Sequence, residues 1–156
     1  MKQKTYIKCM RLKCLSLLPI LILASCSAVE DTSSYAEHSY EEIASYKINA
    51  DQVFSISEDE HYIYYYQETC HSCQEIKNIV IDFALNYTPK MYFVEADVNT
   101  PTHYTFEEIN QTLKSTKIED VFVGVTPQLA FIKDGKIEKN IIENINIEQE
   151  LSRNRT

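Results

Sequence analysis

The stretch from His61 to Ile76, His-Tyr-Ile-Tyr-Tyr-Tyr-Gln-Glu-Thr-Cys-His-Ser-Cys-Gln-Glu-Ile, constrains this chain more than any other. Tyr62–Gln67 is aromatic, β-branched and free of turn residues, which predicts a central strand. Two cysteines three residues apart follow at once, Cys70 and Cys73. From there the apolar residues Ile76, Ile79, Val80, Phe83, Ala84 and Tyr87 recur at i, i+3, i+4, i+7, i+8 and i+11, one face of a helix. Thr88-Pro89 ends that pattern. A dithiol is thereby set at the start of a helix, next to the end of a strand. Unbonded backbone N–H groups and the helix dipole favour a thiolate there.

The remaining elements follow in order. Tyr40–Ile48 is ambiguous between helix and strand. Asn49 or Asp51 is a cap for a short helix through Phe54 and Ile56. Met91–Val98 reads as a second buried strand. Thr105-Phe-Glu-Glu108 is a capping box, with Phe106, Ile109 and Leu113 as an apolar stripe behind it. Thr126-Pro127 precedes a third strand, Gln128–Lys133. Asp134-Gly135 is a hairpin signal leading to a partner strand, Ile137–Ile142. A short helix is expected around Ile147–Arg153. A helix between the first two strands favours a parallel pair, and the hairpin adds an antiparallel edge, so the class is α/β with a mixed sheet.

The N-terminus is of another kind. Residues 1–25 hold five cations (Lys2, Lys4, Lys8, Arg11, Lys13) and no acid, and Leu15–Leu23 is apolar apart from Ser16 and Pro19. A basic start, a short apolar core and small residues describe a secretory signal, and the run is too short for a comfortable membrane span. The rest of the chain keeps 10 cations against 23 acids, a charge of −13. That balance disfavours nucleic acid as a partner. Leu23-Ala-Ser-Cys26 resembles a bacterial lipobox. The resemblance implies cleavage after Ser25 and lipid attachment at Cys26, hence a membrane-anchored, extracytoplasmic protein; more than one acyl chain gives stable anchoring. An ordinary signal peptide or an uncleaved signal anchor is the alternative. Residues 1–25 are thus expected to be a signal peptide, 26–39 a lipidated cysteine and polar tether, and 40–156 one folded domain.

Two thiols at this spacing can close a disulfide with little backbone movement. Cys70, nearer the strand–helix junction, is expected to be the more exposed nucleophile, and a protonated His71 would favour its thiolate further. Cys73, one turn on, would resolve the mixed disulfide. Tyr62–Cys73, Val94–Asn99, Val125-Thr126-Pro127 and Phe131–Lys136 occur in the order of the thioredoxin superfamily, and the likeness runs from about Tyr40 to Ile142. More narrowly, the chain resembles small thioredoxin-like lipoproteins of Gram-positive bacteria, some of which accompany bacteriocin export. The resemblance implies a central mixed sheet flanked by helices and no cofactor. It also implies a cis Pro127 against the dithiol, and Thr126 offering backbone hydrogen bonds to a substrate chain. The activity implied is thiol–disulfide exchange on secreted or envelope proteins and peptides, with a membrane redox partner. The chain departs from thioredoxin in its His71-Ser72 dipeptide, in Tyr64 where thioredoxin has a buried Asp, and in Thr69 where it has Trp. Glu68 or water is left as the proton acceptor, and the direction of electron flow stays open.

Other uses of the dithiol remain. One is a structural disulfide. Another is copper delivery through both thiolates and His103. A third is an accessory protein that binds an exported peptide. A c-type haem site is excluded because Gln74 stands where His is required.

Overall fold

The structure, a computed structural model, describes residues 35–97 and 111–155. The signal segment, Cys26, most of the tether, the Thr105–Glu108 cap and His103 lie outside the described residues. Among those described, no helix is long and apolar enough to cross a membrane.

Four strands form one mixed sheet in the order β2-β1-β3-β4, with β1 Glu60–Tyr66, β2 Lys90–Glu95, β3 Gln128–Lys133 and β4 Lys136–Ile142. Helix α1, His71–Asn86, joins β1 to β2, which run parallel with Tyr62 opposite Met91. β1 pairs antiparallel with β3, and β3 with β4. The β3–β4 turn has Asp134 at φ 50° and Gly135 at φ 69°, the left-handed pair a two-residue hairpin requires. Helix α2, Asn144–Arg153, closes the chain. Strand, dithiol helix, parallel strand, antiparallel hairpin and terminal helix make the fold thioredoxin-like α/β.

Period-2 alternation along β1 divides the core. Tyr62, Tyr64 and Tyr66 face α1 and α2, packing with Ile76, Val80, Phe83, Phe93, Leu129, Ile147 and Leu151. Ile63 and Tyr65 face the other way, with Val94, Ala130, Ile132, Ile137, Val53, Val121 and Val123. All five of these β1 residues are essentially inaccessible, so the run is a central strand buried on both faces. α1 buries a wider stripe than the spacing predicts. Ile81 is fully buried as well, while Ile79 and Tyr87 are only partly so.

The ambiguous Tyr40–Ile48 segment is a turn, a single 3₁₀ turn at Ala44–Tyr46 and one parallel bridge from Lys47 to Phe93. Asn49 does cap, but the element is a 3₁₀ turn of only three residues, Ala50–Gln52, closed by a reciprocal bond with Gln52. Three differences from expectation stand out. Tether residues next to the domain are held on it: the His38 N–H donates to Asn78 Oδ1 at 3.0 Å, and the Tyr35 ring lies under Arg155. Leu113, expected in an apolar stripe, is 40% exposed, whereas Thr112 is buried and accepts from the Phe122 N–H. The Thr88-Pro89 peptide is cis, which the sequence did not lead one to expect; the Thr126-Pro127 peptide is cis as expected.

Candidate active site

Cys70 is the N-cap of α1. Its extended backbone (φ −75°, ψ 122°) lets its carbonyl take the first helical bond, from the Gln74 N–H at 3.1 Å. Its own N–H donates to the Gln67 carbonyl at 3.1 Å, so a tight turn fixes the junction between β1 and α1. The Cys73 N–H donates to Cys70 Sγ at 3.3 Å, which puts sulfur where a capping oxygen ordinarily sits. Gln74 ties the same turn together by donating to the Glu68 carbonyl at 2.6 Å.

Both cysteines are free thiols, Cys70 partly exposed and Cys73 fully buried. Burial alone would push the Cys70 thiol up. Hydrogen bonds from the Cys73 thiol, the Thr126 hydroxyl and the backbone N–H groups of Cys73 and Ser72 outweigh it, and the value falls below that of an ordinary thiol. Cys73 goes the other way, to about 11, because burial and then its bond and charge interaction with Cys70 disfavour its anion; the Gln67 backbone and Thr126 only partly compensate. The environment thus eases ionisation of one thiol and opposes that of its neighbour.

Thr126 and Pro127 come from the far side of the sheet's end, just ahead of β3. Cys70 Sγ donates to the Thr126 carbonyl oxygen at 3.3 Å across the cis peptide. Beside this contact a cleft of about 360 Å³ is lined by Ser72, Val125, Thr126, Pro127, Ile142 and Asn144. Val125, at 38% exposure, is one of the few large apolar side chains open to solvent among the described residues. A cleft with an exposed apolar wall and a backbone edge that also meets the Cys70 thiol can hold an extended chain close to the sulfur.

The structure therefore brings together Cys70, Cys73, Thr126 and Pro127. It does not bring His71 to them. That imidazole is 90% exposed and pairs with Glu75 at 3.2 Å on the outer face of α1. Glu68 is half-exposed and pairs with Lys47 at 3.2 Å. The strongest influences on Cys73 include no carboxylate. Sequence reasoning put Tyr64 at this place but missed Tyr40 and Tyr66, which share the core cluster with it and Cys73. For Tyr66 the signal was present in the alternation of β1, which puts it on the helix face with Tyr64. Among the described residues no group of three or more His, Cys, Asp or Glu is arranged to hold a metal ion.

No protein-family model matches the sequence, and no curated protein matches it. Solved structures do. The chain is similar to the oxidised thioredoxin of Plasmodium falciparum at 18% identity, over 68% of this chain and 89% of that one, with a TM-score of 0.42. It is similar to oxidised mitochondrial thioredoxin 3 of Saccharomyces cerevisiae at 19% identity, over 69% and 92%, with a TM-score of 0.43. It is also similar to oxidised thioredoxin O1 of Arabidopsis thaliana at 13% identity, over 70% and 98%, with a TM-score of 0.44. Identities this low bear on the fold alone, which the strand order, the capping dithiol and the Thr126-Pro127 contact already define.

Proposed function

We propose that the protein is a thiol–disulfide oxidoreductase, anchored to the membrane outside the cytoplasm by lipid on Cys26, acting on disulfides or thiols of secreted or envelope proteins and peptides. The observation that carries the redox reading is the unequal pair. Cys70 is a partly exposed N-cap sulfur with its thiolate favoured, and Cys73 is a buried thiol one turn behind it. A structural disulfide needs no such inequality.

In the reducing direction the Cys70 thiolate attacks one sulfur of a substrate disulfide. A bond forms between Cys70 and that sulfur, and the other substrate sulfur leaves as a thiolate. Cys73 then loses its proton to solvent and attacks Cys70 Sγ. The Cys70–Cys73 disulfide forms, and the second substrate sulfur leaves. Two electrons have passed from the dithiol to the substrate, and an external dithiol, the expected membrane redox partner, must return them. The reverse sequence oxidises substrate thiols. The Thr126–Pro127 edge and the Val125 wall would hold the substrate chain during either.

Two measurements test this. Wild-type protein should reduce insulin disulfides in the presence of a dithiol donor, and Cys70→Ser should not; undiminished turnover in that variant rules the reading out. Membrane fractionation tests the anchor. Wild-type protein should sediment with membranes and Cys26→Ala should not, and equal distribution would refute lipid attachment there.

A further inference from the structure

The three β1 tyrosines on the helix face have different fates. The Tyr62 hydroxyl donates to Glu150 at 2.9 Å. The hydroxyls of Tyr64 and Tyr66 are sealed from solvent without a well-formed partner, as is that of Tyr40, which stacks on Tyr66 with ring centroids 4.6 Å apart. A buried hydroxyl left unpaired costs free energy, and phenylalanine would fill the same space without that cost. Tyr64 is fully buried, and its ring is held by Tyr66 on one side (6.1 Å, nearly parallel) and by Phe93 edge-on at 5.7 Å. Tyr64 lies in the same buried cluster as Cys73, and burial first, then charge interactions with Cys73 and Cys70, hold its phenol above the ordinary range.

We propose that the Tyr64 hydroxyl donates a hydrogen bond to the Cys73 thiolate as that sulfur forms to resolve the mixed disulfide. This rests on the exchange chemistry proposed above. The groups set against Cys73 leave few other donors. On α1 there is Cys70. From the strand end comes the Gln67 backbone, from the loop before β3 Thr126, and from the N-terminal segment the unpaired Tyr40 hydroxyl. Lys47 lies over the Tyr66 ring, 5.8 Å from its centroid, bonds to Glu68 and interacts with the Tyr66 hydroxyl. While Cys73 is a neutral thiol, sulfur is a poor acceptor and the Tyr64 hydroxyl is nearly idle. When Cys73 becomes an anion, the same hydroxyl finds a charged acceptor in a buried site, where such a bond is stronger than in water. Tyr64 keeps its own proton throughout; burial and the neighbouring sulfurs hold it far above the ordinary phenol range. The Cys73 proton goes to solvent.

A symmetric aromatic disulfide, 5,5′-dithiobis(2-nitrobenzoate), separates the steps. Reduced protein releases one equivalent of coloured thiolate when Cys70 is captured. It releases a second when Cys73 displaces the aryl thiolate and closes the Cys70–Cys73 bond. Stopped-flow traces across pH 6–10 give both rates. Tyr64→Phe should leave the first release unchanged and slow the second about tenfold or more below the Cys73 midpoint. Its pH profile should move up by about one unit, equivalent to about 1.4 kcal/mol. Tyr65→Phe is the control. It removes an equally buried, equally unpaired hydroxyl from the same strand, on the opposite face, and should change neither phase. The reduced Tyr64→Phe protein should melt no lower than wild type. An unchanged second phase overturns the proposal, and so does a markedly destabilised Tyr64→Phe, which would place the hydroxyl's role in the fold. A wild-type protein that releases one equivalent or none overturns instead the exchange chemistry beneath it.

Discussion

Alkylation kinetics give the sharpest reading of the unequal dithiol. At pH 7 a thiol with a midpoint of about 11 is a thiolate in roughly one molecule in 10⁴. Cys70 is held below the ordinary thiol range by hydrogen bonds to its sulfur, so its thiolate fraction exceeds that of Cys73. The complete burial of Cys73 widens the gap. A short pulse of iodoacetamide on reduced protein, followed by peptide mass mapping, should label Cys70 and leave Cys73 almost untouched. Raising the pH should lift the Cys70 rate only until its own midpoint is passed; Cys73 labelling should grow toward pH 11. The sign is fixed by the two shifts, since a lowered value brings the anion at lower pH and a raised one defers it. Equal labelling at pH 7, or faster labelling of Cys73, would refute both the assignment of the nucleophile and the physical account of its environment.

Other expectations follow from the same structure. His71→Ala should leave the Cys70 alkylation rate within about twofold of wild type, because the exposed imidazole is paired with Glu75 rather than with the sulfurs; a larger drop would restore His71 as a modulator. Phe83→Ala removes a fully buried ring packed edge-on to Tyr62 and stacked on Tyr87, and should cost about 3–5 kcal/mol in urea unfolding. Glu150 is held below the ordinary carboxylate range: burial alone would raise it, but hydrogen bonds from Lys139 and Tyr62 outweigh that. Its contribution to stability is therefore present above about pH 4.5 and lost as pH falls through its lower folded value. Glu150→Ala should cost about 1–3 kcal/mol at pH 7 by leaving the Tyr62 hydroxyl unpaired, and the difference from wild type should shrink in acid.

Much of this was legible before any coordinates. The aromatic run without turn residues reads as a central strand, and the 3–4 spacing after Cys73 reads as a helix face. Asp134-Gly135 supplies the two positive φ values of the hairpin. Less legible was whatever depends on residues distant in sequence. The Thr88-Pro89 pair reads as a helix stop, but which isomer it adopts is decided by packing. Leu113 and Thr112 exchange inside and outside because Thr112 meets the Phe122 N–H from a loop ten residues away. At the site, the pairing of Cys70 with Cys73 was local and visible, whereas the approach of Tyr40 and Tyr64 to Cys73 depends on how the N-terminal segment and β1 pack under α1. Glu68 is near the dithiol in sequence, yet its side chain turns outward to Lys47.

The central claim is that Cys70 attacks and Cys73 releases. Mixing reduced Cys73→Ala protein with insulin tests it most directly, with mass spectrometry of the unreduced products. The expected result is a one-to-one mixed disulfide on Cys70 that persists in the variant, does not accumulate with wild type and is absent from Cys70→Ser. No adduct, or an adduct that forms equally well without Cys70, would contradict it.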